Sequence, residues 1–210
     1  MRDGWLDEQL VARGVTDVRV LDAMRRVPRE AFVPPASLPA AYEDRALPIG
    51  SGQTISQPYM VAVMTEALRL AGSERVLDVG TGSGYQAAVL SVLARDVITI
   101  ERRPELADSA RTTLAALGYT NVTVIAGDGT LGSPDHAPFD AIVVGAGAPR
   151  VPEALKSQLS ARGGRLVIPV GPPEYQVLHV ITRDGNAFTD MPGLGCVFVP
   201  LIGEEGWTGG

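Results

Sequence analysis

The stretch Val76-Leu-Asp-Val-Gly-Thr-Gly-Ser-Gly-Tyr85 constrains this chain more than any other. An apolar run, Val76 to Val79, stops where glycines take alternate positions at Gly80, Gly82 and Gly84. The residues after Tyr85, Gln-Ala-Ala-Val-Leu-Ser-Val-Leu-Ala, carry the apolar face of a helix. Strand, glycine turn and helix form the opening unit of a nucleotide-type α/β fold, whose ligands sit outside the carboxyl ends of the strands. Glycine permits backbone turns that a Cβ forbids and lets a ligand lie against the main chain. A tight turn with no ligand would also explain the glycines. So would a dinucleotide site, because Gly82-Ser-Gly84-Tyr-Gln-Ala87 fits that spacing with alanine last.

Charge separates these readings. Asp78 sits near the strand tip, where an acid disfavours a pyrophosphate and favours a cationic cofactor. S-adenosylmethionine, with an ammonium and a sulfonium, meets that requirement. Val97-Ile-Thr-Ile-Glu101 reads as a second strand ending in an acid, placed to accept both ribose hydroxyls of an adenosine. Val122 to Ala126 reads as a third, leading into Gly127-Asp128-Gly129, where Asp128 can accept from an adenine amino group. Acids at successive strand ends match methionine amine, ribose and adenine, and the dinucleotide alternative recedes.

The rest of the chain frames this unit. Residues 1–36 hold two helical patterns: Leu6 and Leu10 lie one turn apart, and Asp17 can cap a helix carrying Val20, Leu21, Met24 and Val27 until Pro28 stops it. Residues 42–56 are polar, glycine-punctuated loop. Pro58 then suits the first turn of a helix with Met60, Val63, Met64, Ala67, Leu68 and Ala71 on one face. Ser56 or Gln57 lies at its start, and taken alone Ser56 is expected to be an N-cap. Later elements are helix 104–118, strand 139–145, the tight loop Gly145–Pro149, helix 151–161 and strand 164–170. Antiparallel strands are expected over 175–183, 186–191 and 196–201, with Asp184-Gly185 as a hairpin turn. The small, backbone-rich Gly145–Pro149 loop is suited to pair with an extended peptide. The tail from Gly203 either folds Trp207 back as a lid or stays solvated.

At 210 residues, with 45% hydrophobic and 20% charged side chains, the chain suits one α/β domain with a proper core. It divides into an N-terminal part (1–56), a cofactor-binding core (57–171) and C-terminal strands with a tail (172–210). A net charge of −6 argues against a nucleic-acid partner. Cys196, the one cysteine, allows no internal disulfide. The start does not resemble a signal peptide, and no apolar run reaches the ~18 residues of a membrane helix, so the expectation is a cytoplasmic monomer without membrane contact. No metal-ligand set is visible, since His136 and His179 have no paired cysteine. No histidine or cysteine is placed to deprotonate a weak nucleophile, and no Asn/Asp-Pro-Pro-aromatic segment follows the fourth strand. A carboxylate nucleophile needs neither, being ionised at neutral pH.

The chain resembles the protein-L-isoaspartate (D-aspartate) O-methyltransferases from about Leu10 to Leu201. Five segments carry the likeness: Gln53-Thr-Ile-Ser-Gln-Pro58, Leu77-Asp-Val-Gly-Thr-Gly-Ser-Gly84, Gly127-Asp-Gly129, Gly163-Gly-Arg-Leu-Val-Ile-Pro-Val-Gly171 and Phe198-Val-Pro-Leu201. The resemblance implies a Rossmann-like S-adenosylmethionine-dependent methyltransferase fold with rearranged C-terminal strands. It implies methylation of the carboxyl that isoaspartyl residues expose in damaged peptides and proteins, a succinimide forming from the ester. S-adenosylhomocysteine would be the product. By the same resemblance Ser56 is the active-site serine, and Gln53, Thr54, Ile55, Ser56, Asp78, Gly80, Gly82, Gly84, Glu101, Arg102, Asp128 and Gly129 line the cofactor. An O-methyltransferase of a small molecule, or of one partner peptide, is the alternative.

Overall fold

A computed structural model describes residues 4–208; the first three residues of the expected N-terminal start and the last two of the tail lie outside the described residues. Helix α1 (Gly4–Gln9) and helix α2 (Val18–Arg26) begin the chain. Leu6 and Leu10 are fully buried. Asp17 caps α2 by accepting from the Arg19 N–H at 2.8 Å.

Residues 42–56, expected as plain loop, contain a small hairpin of β1 (Leu47–Gly50) and β2 (Gln53–Ile55). Its turn, Ser51-Gly52, takes positive φ at both residues, the geometry that matches strand twist in a two-residue turn. Helix α3 (Pro58–Leu68) follows with proline in its first turn.

The large sheet has the order β5-β4-β3-β6-β7-β8-β9. Strands β3 (Arg75–Val79), β4 (Asp96–Glu101), β5 (Val122–Ala126), β6 (Ala141–Val144) and β7 (Arg162–Val170) run parallel, while β8 (Gln176–Asp184) and β9 (Ala187–Cys196) close it as an antiparallel meander. This is the Rossmann-like α/β architecture with a sequential C-terminal end. Alternation along the strands splits the core between the two sheet faces. Val76, Val97 and Val143 pack with α3 and helix α4 (Tyr85–Leu93), whereas Leu77, Ile98 and Ile142 pack with Leu155 of the short helix α6 (Glu153–Ser157). Helix α5 (Pro104–Ala116) buries Leu106, Ala107, Ala110 and Leu114.

Three expected elements differ. Helix 151–161 shrinks to α6 because Phe139 captures the chain beyond it: its N–H donates to Gln158 O at 2.9 Å, and its carbonyl accepts from Ser160 N at 2.7 Å. Strand 186–191 extends to Cys196, and β9, being at the sheet edge, tolerates Pro192. The strand expected over 196–201 leaves the sheet and crosses the carboxyl ends of the parallel strands, where only Pro200 bridges to Gly147. The last hairpin turn is Gly185-Asn186, between the paired Asp184 and Ala187. Among the described residues no helix is long and apolar enough to cross a membrane.

Candidate active site

Connections from β3 and β6 lead in opposite directions across the sheet, so their carboxyl ends part and open a crevice. Gly80 and Gly145 form its floor, and a Cβ on Gly145 would come within 3.5 Å of the Gly80 carbonyl. Gly84, at φ 91°, turns the chain into α4 with its backbone against Leu114. Gly82 receives Ile49 of the β1–β2 hairpin, so the N-terminal loop is seated directly on the glycine turn.

A cleft of about 660 Å³ opens there, lined by Gln53, Thr54, Gly80, Gly82, Glu101, Arg102, Gly129, Gly145 and the segment Val199–Ile202. Glu101, 7% exposed, accepts from the Gly82 N–H at 2.8 Å and the Arg103 N–H at 2.9 Å. Its carboxylate is thus aimed along the cleft wall with acceptor capacity to spare. Two further spaces adjoin. A groove of about 1040 Å³ is bounded by Arg13, Ser56, Tyr59, Met60 and Leu194–Val199. A smaller space of about 440 Å³ lies between Ile55, Ser56, Asp78, Thr81, Tyr85 and Gln86. Thr54 and Gly145 border all three, and Ser56 separates the last two.

The strand-end acids occupy different settings. Asp78 is only 1% exposed, and its Oδ2 accepts from the Thr99 hydroxyl at 2.8 Å while Oδ1 is buried without a partner. Burial pushes its carboxyl up to about 7; the Thr99 bond opposes this and the charge of Glu101 adds to it. An orphaned carboxylate oxygen beside an open space fits a cofactor that brings an ammonium group. Asp128 does not line the cleft. Its Oδ1 accepts from Thr130 N (2.9 Å) and Oγ1 (2.7 Å), and its Oδ2 from Glu204 N at 2.8 Å. Burial alone would raise its carboxyl, yet the Glu204 and Thr130 bonds hold it below the ordinary range.

Ser56 is not the cap of α3. Gln57 occupies that position with no side-chain cap, and Asp44 supplies it from a distance, accepting from the Tyr59 N–H at 3.0 Å and from Gln57 Nε2 at 2.7 Å. Among the described residues the Ser56 hydroxyl has no hydrogen-bond partner. The Gly145–Pro149 backbone is less free than expected. Gly147 N donates to Val199 O, Ala148 N to Pro169 O, and the Gly147 carbonyl accepts from Leu201 N and Trp207 Nε1. Trp207 therefore folds back. Sequence reading missed Arg13, which stacks over the Tyr59 ring at 3.5 Å and pairs with Asp44, and the groove wall of Leu194 and Cys196. Nothing local marks these residues, because β9 and the N-terminal loop meet only through the fold.

The family model for protein-L-isoaspartate(D-aspartate) O-methyltransferase matches residues 3–206. A protein-L-isoaspartate O-methyltransferase 2 of Marinobacter nauticus is 61% identical, covering 95% of this chain and 91% of that protein. A protein-L-isoaspartate O-methyltransferase of Methanoculleus marisnigri is 54% identical, covering 99% and 94%. Among solved structures, one protein-L-isoaspartate O-methyltransferase superposes with a TM-score of 0.87 at 30% identity, covering 98% of this chain and 67% of that one. Another from Plasmodium falciparum, in complex with S-adenosyl-L-homocysteine, gives 0.81 at 28% identity, covering 94% and 96%. With the match spanning nearly its whole length, the chain belongs to the protein-L-isoaspartate(D-aspartate) O-methyltransferase family.

Proposed function

We infer that this chain methylates the free carboxyl of L-isoaspartyl and D-aspartyl residues in damaged peptides and proteins, using S-adenosylmethionine. The observation that carries the reading is the meeting of cleft, groove and small space at Thr54 and Gly145, with Ser56 between the last two. When bound, the cofactor supplies an electrophilic methyl group on a sulfonium. Asp78 would offer its unpartnered oxygen to the cofactor's ammonium, Glu101 would accept from the ribose hydroxyls, and Gly80, Gly82 and Gly84 would let the ligand approach the main chain. Gln53 and Thr54 cover it from the hairpin, with Ile55 anchoring that strand in the core and Arg102 on the cleft wall. Gly129 and Ile202 would flank the adenine end, and Asp128, turned to Thr130 and Glu204, would hold that wall in place.

The substrate carboxylate would enter from the groove, where the Ser56 hydroxyl would donate to one of its oxygens and leave the other free to take the methyl group. No base is required. A carboxyl of pKa about 3.3–3.9 is ionised at neutral pH, and Cys196 in the groove, pushed up to about 11 by burial, holds its proton. The experiment is radiolabelled methyl transfer to an isoaspartyl peptide beside its aspartyl isomer. Label on the isoaspartyl peptide alone is expected; equal labelling of the two isomers, or of neither, overturns the reading.

A further inference from the structure

Among the described residues Arg29 is the largest fully buried side chain, at 0% exposure, and no carboxylate of those residues lies within ion-pair distance of it. Burying a cation without a counter-ion costs several kcal/mol, so its contacts must return something. Its Nε donates to the Ala41 carbonyl at 2.8 Å and its Nη2 to the Ser56 carbonyl at 2.7 Å. These two carbonyls are the ends of the 42–56 loop, which carries the β1–β2 hairpin, Gln53 and Thr54. One planar fork thus closes the neck of that loop. The same guanidinium lies 4.9 Å from the centre of the Tyr85 ring, on the first residue of α4 after the glycine turn. Nη1 is left buried without a partner. Burial lowers the Arg29 pKa, with Tyr85 opposing that effect first and the more distant Asp44 and Tyr42 after it.

Among the described residues Ser56 has no side-chain hydrogen bond of its own, so the direction of its hydroxyl follows from its backbone. That backbone is held on one side by Arg29 and on the other by Asp44 acting on Gln57 and Tyr59. We propose that Arg29 is a positioning residue for methyl transfer, its guanidinium clamping the neck of the 42–56 loop and so aiming Ser56 and the hairpin at the glycine turn. The proposal rests on the reading of Ser56 given above. Lysine cannot replace the fork: an ammonium is a compact, strongly hydrated charge and cannot present the rigid planar donor set that spans both carbonyls.

The test uses the full chain carrying Arg29→Lys and, separately, Arg29→Ala. Active sites are counted by S-adenosylhomocysteine calorimetry, and the transfer rate at saturating cofactor and isoaspartyl peptide is expressed per site. Amide hydrogen exchange is followed across 42–56 and across β3–β6. Arg29→Lys should lose at least tenfold in rate per site and exchange faster in 42–56, with β3–β6 unchanged. Millimolar methylguanidinium should restore part of the rate to Arg29→Ala and leave the parent unaffected. A parental rate per site in fewer or less stable molecules makes Arg29 a purely structural residue and overturns the proposal. So does unchanged exchange in 42–56, or an Arg29→Lys chain that binds no S-adenosylhomocysteine at all. Should the parent fail to methylate isoaspartyl peptides, the functional reading falls, while the exchange experiment still decides the clamp.

Discussion

Ser56 lies between the groove and the small space beside Asp78. Its place before Pro58 suggested an N-cap, and the structure gives that task to Asp44 and leaves the hydroxyl free between two cavities. Ser56→Ala should therefore slow methyl transfer ten- to a hundredfold, the equivalent of about 1.5–3 kcal/mol for a charge-assisted bond. Its melting temperature should stay within about a degree of the parent; a parental rate in a chain melting several degrees lower would make Ser56 structural after all. Asp78 carries a different signature. Its folded-state value of about 7 lies above the ordinary 3.8, so the folded chain keeps a proton that the unfolded chain has released. The contribution of Asp78 to the stability of the cofactor-free protein should thus fall as pH rises from about 4 through about 7, at up to about 1.4 kcal/mol per unit. Asp78→Asn should flatten that slope, and urea titrations at several pH values would reveal it. The acid was visible in the sequence; its unpartnered oxygen was not, since that depends on Thr99 and the strands packed around it.

At the scale of elements, the central parallel strands β3, β4 and β6 were legible because each is a largely apolar run buried on both faces, and the glycine turn because its residues adopt φ values that favour glycine. Gly84→Ala tests this directly. At φ 91° a Cβ would be strained and would sit 3.3 Å from Leu114 Cδ1, so a loss of roughly 1–2 kcal/mol is expected. In urea it should appear as a lower midpoint with an unchanged slope. An unaltered midpoint would mean the turn relaxes without cost. Where local pattern misled, a distant partner was responsible. Leu159 and Ser160 have helical neighbours but pair with Phe139, and Val197–Leu201 has strand composition but finds no sheet edge to join.

For the molecule as a whole, the tail decides the shape of the cofactor cleft. Leu201 and Ile202 line it; Trp207 N donates to Leu201 O at 2.7 Å, and Trp207 Nε1 to Gly147 O at 3.1 Å. Gly203 and Gly206 are required there, because a Cβ would meet Asp128 Oδ1 at 2.1 Å or Leu201 O at 2.2 Å. Removing residues 203–210 should free this wall and weaken S-adenosylhomocysteine binding by roughly tenfold, about 1.4 kcal/mol. Calorimetry giving the parental affinity would show that the tail merely rests on the surface. Read alone, the sequence established the fold class, the glycine turn and the acids at the carboxyl ends of β3 and β4, and it pointed to a chemistry that needs no base. These follow from hydrophobic period, backbone stereochemistry and ionisation, which neighbouring residues carry. Only the tertiary structure decided that Asp128 bonds to the tail, that Arg29 closes the neck of the 42–56 loop, and that Ser56 stands between the groove and the small space beside Asp78. Those facts rest on contacts across 76 residues for Asp128 and Glu204 and 27 for Arg29 and Ser56, distances over which local sequence pattern carries no geometric information.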